Sequence, residues 1–231
     1  RQRQMCIRDS REATHHAFGV NIPLMYPQIE EIMQIVADEG VKIVFTSAGS
    51  PKKWTGWLHE RGITVVHVVS SSRFAVKAEE AGVDAIVAEG FEAGGHNGRE
   101  ETTTLCLIPA VRAVTTLPLI AAGGIATGEA MLAARVLGAE GGQIGTRFAL
   151  TAESSANEVF KDYCLHLEEG DTRLLLKKLA PVRLVRNNFR SAVEAAEAVG
   201  ASEEELRILL GRGRAKRGIF EGDLEEGELE I

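Results

Sequence analysis

The sequence predicts an α/β fold, a (β/α)8 TIM barrel that lacks its first two βα units and carries a helical accessory segment after its last strand. Three observations lead to this prediction. Apolar runs and helical patterns alternate six times between Phe18 and Phe148. The runs are apolar throughout, as in parallel strands buried on both faces. Polar residues or glycines follow them, as at the carboxyl ends of barrel strands. An open, doubly wound sheet is the alternative.

The individual elements follow from the apolar runs, the helical periodicity and the glycines. The predicted strands are Phe18–Leu24, Val41–Thr46, Ile63–Val69, Ala85–Ala88, Pro118–Ala122 and Gly142–Thr146. The predicted helices cover residues 28–39, a stretch that starts near Pro51, and residues 73–81, 105–114 and 128–137. Gly40, Gly82 and Gly138 lie where a glycine commonly ends a helix.

The chain divides into three segments. Residues 1–17 contain RQRQMCIRDS, which has no periodicity, and we expect them to be a leader outside the native fold. Residues 18–152 form the predicted partial barrel, with its strands 3 to 8. Residues 153–231 are expected to be an accessory segment and tail with helices at 157–169, 172–178, 190–199 and 202–210. Ser202 and Glu205 predict a capping box for the last of these helices.

Composition excludes several classes of function. The 231 residues carry a net charge of −7, which argues against nucleic-acid binding or a membrane-surface patch. No apolar run is long enough for a membrane span. Cys6, Cys106 and Cys164 are far apart and form no metal-binding pattern. A cytoplasmic protein without a structural metal is therefore expected.

One loop has the composition of an active site. Residues 89–98 read EGFEAGGHNG, with four glycines, two carboxylates and one histidine directly after a predicted buried strand. Because parallel α/β folds place their active sites at the carboxyl ends of strands, His96 is a candidate acid or base. A loop histidine bonded to a nearby carbonyl is the alternative.

A second candidate region runs from Leu117 to Phe148. Gly123 and Gly124 end one predicted strand and Gly145 lies near the end of the next. Glycine lets backbone N–H groups approach a phosphate closely, and the last two strands of a barrel commonly build such a site. Tight turns and helix caps would explain the same glycines.

Four motifs, in this order and spacing, carry a resemblance to a known family. FGVNIP, EGFEAGGHNG, IAAGGIATG and QIGTRF resemble the nitronate monooxygenases, formerly called 2-nitropropane dioxygenases. The same set is similar to a sister branch, the FMN-dependent enoyl-acyl-carrier-protein reductases. The likeness extends over residues 18–231 and implies an FMN-binding barrel with a mostly helical accessory segment. Family members begin with about two further βα units, in agreement with the strand count.

Position by position, the resemblance implies that His96 is the catalytic base. It implies flavin contacts at Asn21, Glu89, Gly94, Gly123, Gly124, Gln143, Ile144, Gly145 and Thr146. The phosphate would then contact backbone amides at the ends of the last two strands, with the Thr146 hydroxyl as a further donor. Many nitronate monooxygenases have glutamine where this chain has Glu89, whereas reductase-like members have glutamate, so the branch stays open.

The implied activity is the FMN-dependent oxidation of alkyl nitronates by dioxygen to a carbonyl compound and nitrite. The alternative is reduction of an enoyl thioester with electrons from a nicotinamide. A non-redox barrel enzyme is less favoured, because no lysine stands at a strand end, and an inactive barrel fragment stays open as well. The expected partners are a small nitronate, nitroalkane or enoyl thioester and dioxygen. The exposed strand edges of an incomplete barrel allow a homodimer.

Overall fold

The computed structural model describes residues 2–231, with side chains from residue 4 onward. The strands are β1 (Gly19–Pro23), β2 (Ile43–Ser47), β3 (Thr64–Val69), β4 (Ala85–Glu89), β5 (Gly95–His96), β6 (Leu119–Ala122), β7 (Gly141–Gln143), β8 (Thr172–Leu175) and β9 (Val182–Val185). The helices are α1 (Gln2–Ala13), α2 (Ile29–Asp38), α3 (Lys52–His59), α4 (Ser72–Glu80), α5 (Thr104–Arg112), α6 (Gly128–Val136), α7 (Thr146–Ala149), α8 (Glu158–Leu165), α9 (Asn188–Ala198), α10 (Glu203–Leu210) and α11 (Arg214–Ile219).

Six strands form one parallel sheet in the order β1-β2-β3-β4-β6-β7. The six predicted strands are therefore all present and lie side by side in chain order. Their ends are staggered: residues paired across the sheet lead from Ile22 in β1 to Leu119 in β6. One residue of β1 follows Ile22, whereas three residues of β6 follow Leu119. Such a stagger accompanies the strand tilt that a barrel requires.

The two faces of this sheet have different roles. One face packs against the helices and holds the main core, which includes Ile22, Val44 and Ile86. The opposite face, which we call the inner face, carries a smaller apolar cluster around Val66, Val87 and Ala122. Because successive side chains of a strand alternate between faces, the register decides which polar residues share the inner face.

The accessory segment differs from its predicted all-helical form. Residues 172–178, predicted as a helix, contain strand β8, and β9 was not predicted at all. The two strands pair antiparallel, and β9 also pairs with β5, which holds His96. Tertiary pairing outweighs local preference in such short segments. The other predicted helices are present in α8, α9 and α10, and both hydrogen bonds of the Ser202–Glu205 capping box form.

The predicted leader contains helix α1, which packs on α2 in this structure. Ile7 is buried there, and the Arg8 guanidinium donates to Glu39 at 2.7 to 3.1 Å. These contacts tie α1 to α2 and to the main core. That residues 1–17 lie outside the native fold stays a prediction.

Candidate active site

The inner face presents two polar side chains in one row at the carboxyl edge of the sheet. Glu89, at the end of β4, pairs with Ala122, and Ala122 pairs with Gln143, at the end of β7. The three side chains therefore point to the same side, with a methyl group between two polar groups. Glu89 is half-buried and Gln143 is exposed. Burial raises the pKa of Glu89 to about 7.

The glycine turn after β6 lies against the start of the histidine loop, which we define as residues 89–98. The Gly90 N–H donates to the Ala122 carbonyl at 2.9 Å. Gly123 has φ +97° and Gly124 has φ +68°, a backbone conformation that favours glycine. A Cβ on Gly123 would lie 2.7 Å from the Gly90 oxygen. Close contact between two chain segments is thus one reason for the glycines.

Thr104, at the start of α5, joins the glycine turn to the histidine loop. Its backbone N–H donates to both carboxylate oxygens of Glu92, at 3.1 and 2.9 Å. Its hydroxyl lies 2.9 Å from Glu92 Oε2 and 2.8 Å from the Gly123 carbonyl oxygen. A carboxylate at a helix amino terminus is electrostatically favourable. Glu92 therefore helps to hold the loop in place, and both of its carboxylate oxygens already accept hydrogen bonds from Thr104.

The edge after β7 is open. β7 ends at Gln143 rather than at Thr146, and Thr146 begins the short helix α7. A Cβ added to Gly145 would meet no atom within 4 Å. The Ile144 side chain packs against the main core, away from the inner face. A ligand at this edge would therefore contact backbone groups around Gly145 rather than the Ile144 side chain.

His96 lies on β5, where the accessory strand β9 holds it. Gly95 pairs with Arg183 and His96 pairs with Val182. The imidazole is 61% exposed, so it can reach a bound molecule or solvent. The predicted loop histidine is thus a strand residue whose position depends on residues far away in the sequence.

The last residues of the chain lie against this loop. A Cβ on Gly94 would overlap the main chain of Ile231, and one on Gly95 would lie 2.7 Å from Glu230 Oε2. Gly94 is still exposed on its other side. Among the predicted flavin contacts, Gly94 is thus partly covered by the C-terminal residues.

Two carboxyl groups of this C-terminal segment face His96. The imidazole Nδ1 lies 4.0 Å from Glu230 Oε1, within ion-pair distance if the ring is protonated. Glu228 is buried, and its Oε1 has no hydrogen-bond partner among the described residues. Burial raises the pKa of both glutamates, that of Glu228 to about 7, where the charge of Glu230 adds to the effect. One proton on this pair is therefore favoured near neutral pH.

Asn21 shares the inner face but not the row of Glu89. Its row of paired residues passes through Phe45 and Val66 to Ala85, four residues before Glu89 on β4. At about 3.3 Å per residue, this corresponds to about 13 Å along the strand. Asn21 is exposed and lines a cavity of about 510 Å³ beside β1. The structure thus brings Glu89, Gln143 and the glycine turn together and leaves Asn21 apart.

Two residues of interest were not singled out from the sequence. Arg183 on β9 reaches the carbonyl of Phe91 in the histidine loop. No local signal marks it, because the strand that carries it was not predicted. His67 is buried on the helix side of β3, 2.7 Å from the Thr46 hydroxyl, and burial lowers its pKa to about 4. A neutral core histidine is the plain interpretation of His67.

Among the described residues, no group of three or more His, Cys, Asp and Glu side chains is arranged to hold a metal ion. Within residues 2–231, no helix has the length and apolarity to cross a membrane.

The fold and this edge define a class of protein, the α/β barrels whose candidate site lies at the carboxyl ends of parallel strands. A family profile described as nitronate monooxygenase matches residues 4–230. The chain therefore belongs to the nitronate monooxygenase family, a family of oxidoreductases.

The chain aligns with only part of the length of its relatives by sequence. A probable nitronate monooxygenase of Staphylococcus saprophyticus is 33% identical over 190 residues, which are 75% of this chain and 53% of that protein. A second, from Staphylococcus haemolyticus, is 37% identical over 155 residues, which are 63% of this chain and 43% of that protein. The aligned part of this chain spans about half the length of these relatives.

Solved structures resemble nearly the whole chain. FabK from Thermotoga maritima has a TM-score of 0.90 at 38% identity and covers 99% of this chain and 72% of its own. Nitroalkane oxidase from Streptomyces ansochromogenes has a TM-score of 0.78 at 26% identity, with 97% and 76% coverage. These likenesses confirm the predicted fold class, and the six-stranded sheet corresponds to part of a barrel.

Proposed function

We propose that this chain is part of an FMN-dependent oxidoreductase that oxidises alkyl nitronates with dioxygen to a carbonyl compound and nitrite. The observation that carries the proposal is family membership together with the position of His96, in the loop that follows the carboxyl end of β4. The resemblance implies FMN, so the residues present must be tested for their fit to a flavin.

The edge from β4 to β7 fits such a group. Glu89 and Gln143 lie in one row with the buried Ala122 between them, so two hydrogen-bonding side chains point to the same side of this edge. Gly124 is exposed, and the space above Gly145 is open, so a phosphate could approach backbone amides there. Glu89, Gly123, Gly124, Gln143, Gly145 and Thr146 are thus the proposed contacts on this edge. Gly94, Ile144 and Asn21 are weaker candidates for the positional reasons given above.

Bound FMN would supply the redox chemistry, by accepting two electrons from the substrate and passing them to dioxygen. The chain itself would bind and orient the substrate and move a proton. His96 Nδ1 faces Glu230, which leaves Nε2 to take the α-proton of a neutral nitroalkane or to hydrogen-bond a nitronate. Glu230 would then accompany the imidazolium as an ion pair.

A second candidate is the reduction of an enoyl thioester with a nicotinamide as electron donor. The observation that favours it is Glu89, since glutamate at this position resembles the reductase branch. In both cases the partner is a small molecule, and a homodimer in the cytoplasm stays a prediction.

The first experiment is a visible absorption spectrum of the purified protein after desalting, with and without prior addition of FMN. We expect flavin bands that stay with the protein, nitrite release from a nitronate, and loss of nitroalkane turnover in His96→Asn. His166→Asn, a change at an exposed histidine directly after α8, is the matched control. A protein that retains no flavin contradicts the proposal and favours an inactive barrel fragment. Enoyl-thioester reduction without nitrite release favours the second candidate.

A further inference from the structure

The histidine loop is attached to the accessory ribbon, β8 and β9, by several backbone contacts. Gly95 and His96 pair with Arg183 and Val182, and the Asn97 N–H donates to the Pro181 carbonyl at 2.8 Å. These contacts hold the far end of the loop, where His96 is located. They leave the start of the loop, around Phe91, to be held by other groups.

The side chain of Arg183 is one of the groups that hold that start, beside the hydrogen bond from the Phe91 N–H to the Thr102 carbonyl at 3.0 Å. The Arg183 Nε and Nη2 both donate to the Phe91 carbonyl, at 3.2 and 2.7 Å. The guanidinium lies 5.3 Å from the centre of the Phe91 ring. Its Nη1 donates to the Thr172 hydroxyl on β8, at 3.2 Å. One side chain thus joins both strands of the ribbon to the first turn of the loop.

The chemistry of this position suits arginine in particular. The planar guanidinium can direct two N–H groups to one carbonyl and a third to a hydroxyl, which a single ammonium group cannot reproduce. Burial lowers the pKa of Arg183, and the negative charges of Glu92 and Glu101 oppose this effect. The guanidinium is therefore partly withdrawn from water, where hydrogen bonds from a charged donor are comparatively strong.

We propose that Arg183 is a positioning residue for His96. Its side chain holds Phe91, and the backbone of the same ribbon holds Gly95 to Asn97. Both ends of the loop are therefore attached to one rigid element, the accessory ribbon. The accessory ribbon, in addition to the hydrogen bond from the Gly90 N–H to Ala122 of the barrel sheet, then sets where the imidazole lies relative to the strand edge. The role of His96 as a base rests on the proposed function, whereas the attachment of the loop does not.

The test is hydrogen–deuterium exchange of the peptide that covers residues 90–98, in the full chain. In Arg183→Met we expect exchange to be about tenfold faster, because one tenfold step corresponds to about 1.4 kcal/mol, the scale of a charged hydrogen bond. Arg183→Lys should recover part of the protection. Arg173→Met, on the neighbouring strand, removes an arginine that contacts Glu194 instead of the loop and should leave the peptide unchanged.

Unchanged exchange in Arg183→Met, or an equal effect of Arg173→Met, would overturn the proposal. If Arg183→Met does not fold, Thr172→Val provides a milder variant, because it removes only the hydroxyl that accepts from Nη1. We expect a smaller acceleration in the same peptide for this variant, and none would count against the proposal.

Turnover separates positioning from general destabilisation. A neutral nitroalkane needs its α-proton removed, whereas a preformed nitronate does not. In Arg183→Lys we expect kcat/KM for the nitroalkane to fall about tenfold or more, with a much smaller change for the nitronate, because base catalysis depends steeply on geometry. An equal fall for both substrates would contradict a positioning role. If the parent protein oxidises neither, the proposed function fails while the exchange experiment still decides the role of Arg183 in the loop.

Discussion

Glu89→Gln tests whether burial of the Glu89 carboxyl group at the candidate flavin edge makes the stability of the protein depend on pH. Burial raises the pKa of Glu89 from 4.5 to about 7. Between these pH values the folded protein binds more protons at Glu89 than the unfolded chain does. The free energy of unfolding therefore falls as the pH rises through this window. Glutamine has nearly the same shape and does not titrate, so the variant escapes this loss.

The magnitude follows from the shift. At about 1.4 kcal/mol per pH unit, a shift of this size corresponds to about 3 kcal/mol. Because Glu89 is only partly buried, solvent screening reduces this, and we expect ~1.5 kcal/mol. Between pH 5 and pH 8, the stability of Glu89→Gln relative to the parent should rise by that amount.

Urea denaturation of both proteins at the two pH values measures this difference. Glu31→Gln, at an exposed position of α2, is the control for the chemical change itself. The reasoning is refuted if the difference between Glu89→Gln and the parent is the same at both pH values or is larger at pH 5. Because the resemblance places glutamine at this position in many nitronate monooxygenases, the variant should also retain FMN, and loss of the flavin would show that the carboxyl group is required.

Three further predictions concern the surrounding structure. Because burial lowers the pKa of His67 from 6.5 to about 4, stability should be lost as the pH falls through that window. Between pH 7 and pH 5, the free energy of unfolding measured in urea should fall by ~2 kcal/mol less in His67→Leu than in the parent. An unchanged pH dependence would contradict this. Gly123→Ala should lower the unfolding free energy by more than ~1 kcal/mol and weaken FMN retention, because its φ is +97° and its Cβ would meet Gly90. Gly128→Ala, where a Cβ meets nothing within 4 Å, is its control and should not destabilise. Ser202→Ala should cost about 1 kcal/mol by removing the capping box, and an unchanged thermal midpoint would count against it.

Much of the barrel part could be predicted because its signals are local. Each parallel strand is a short apolar run, and most helices between strands end near a glycine, as at Gly40 and Gly82. The carboxyl edge could be predicted for the same reason, since Glu89 and Gly123 follow directly after such runs. The ribbon could not, because β8 and β9 are stabilised by pairing with each other and with β5, rather than by their own composition.

The sequence alone was sufficient to predict the α/β class, the six strands along the chain and, β7 apart, the approximate carboxyl ends of these strands, because apolar patterning within each segment specifies them. The tertiary structure decided which residues at these ends meet. Register placed Glu89 and Gln143 in one row and left Asn21 in another. Pairing with β9 attached His96 to the accessory ribbon, and close contact of Gly94 with Ile231 covered part of the loop. These are contacts between residues far apart in the chain, and no local pattern of side chains specifies them.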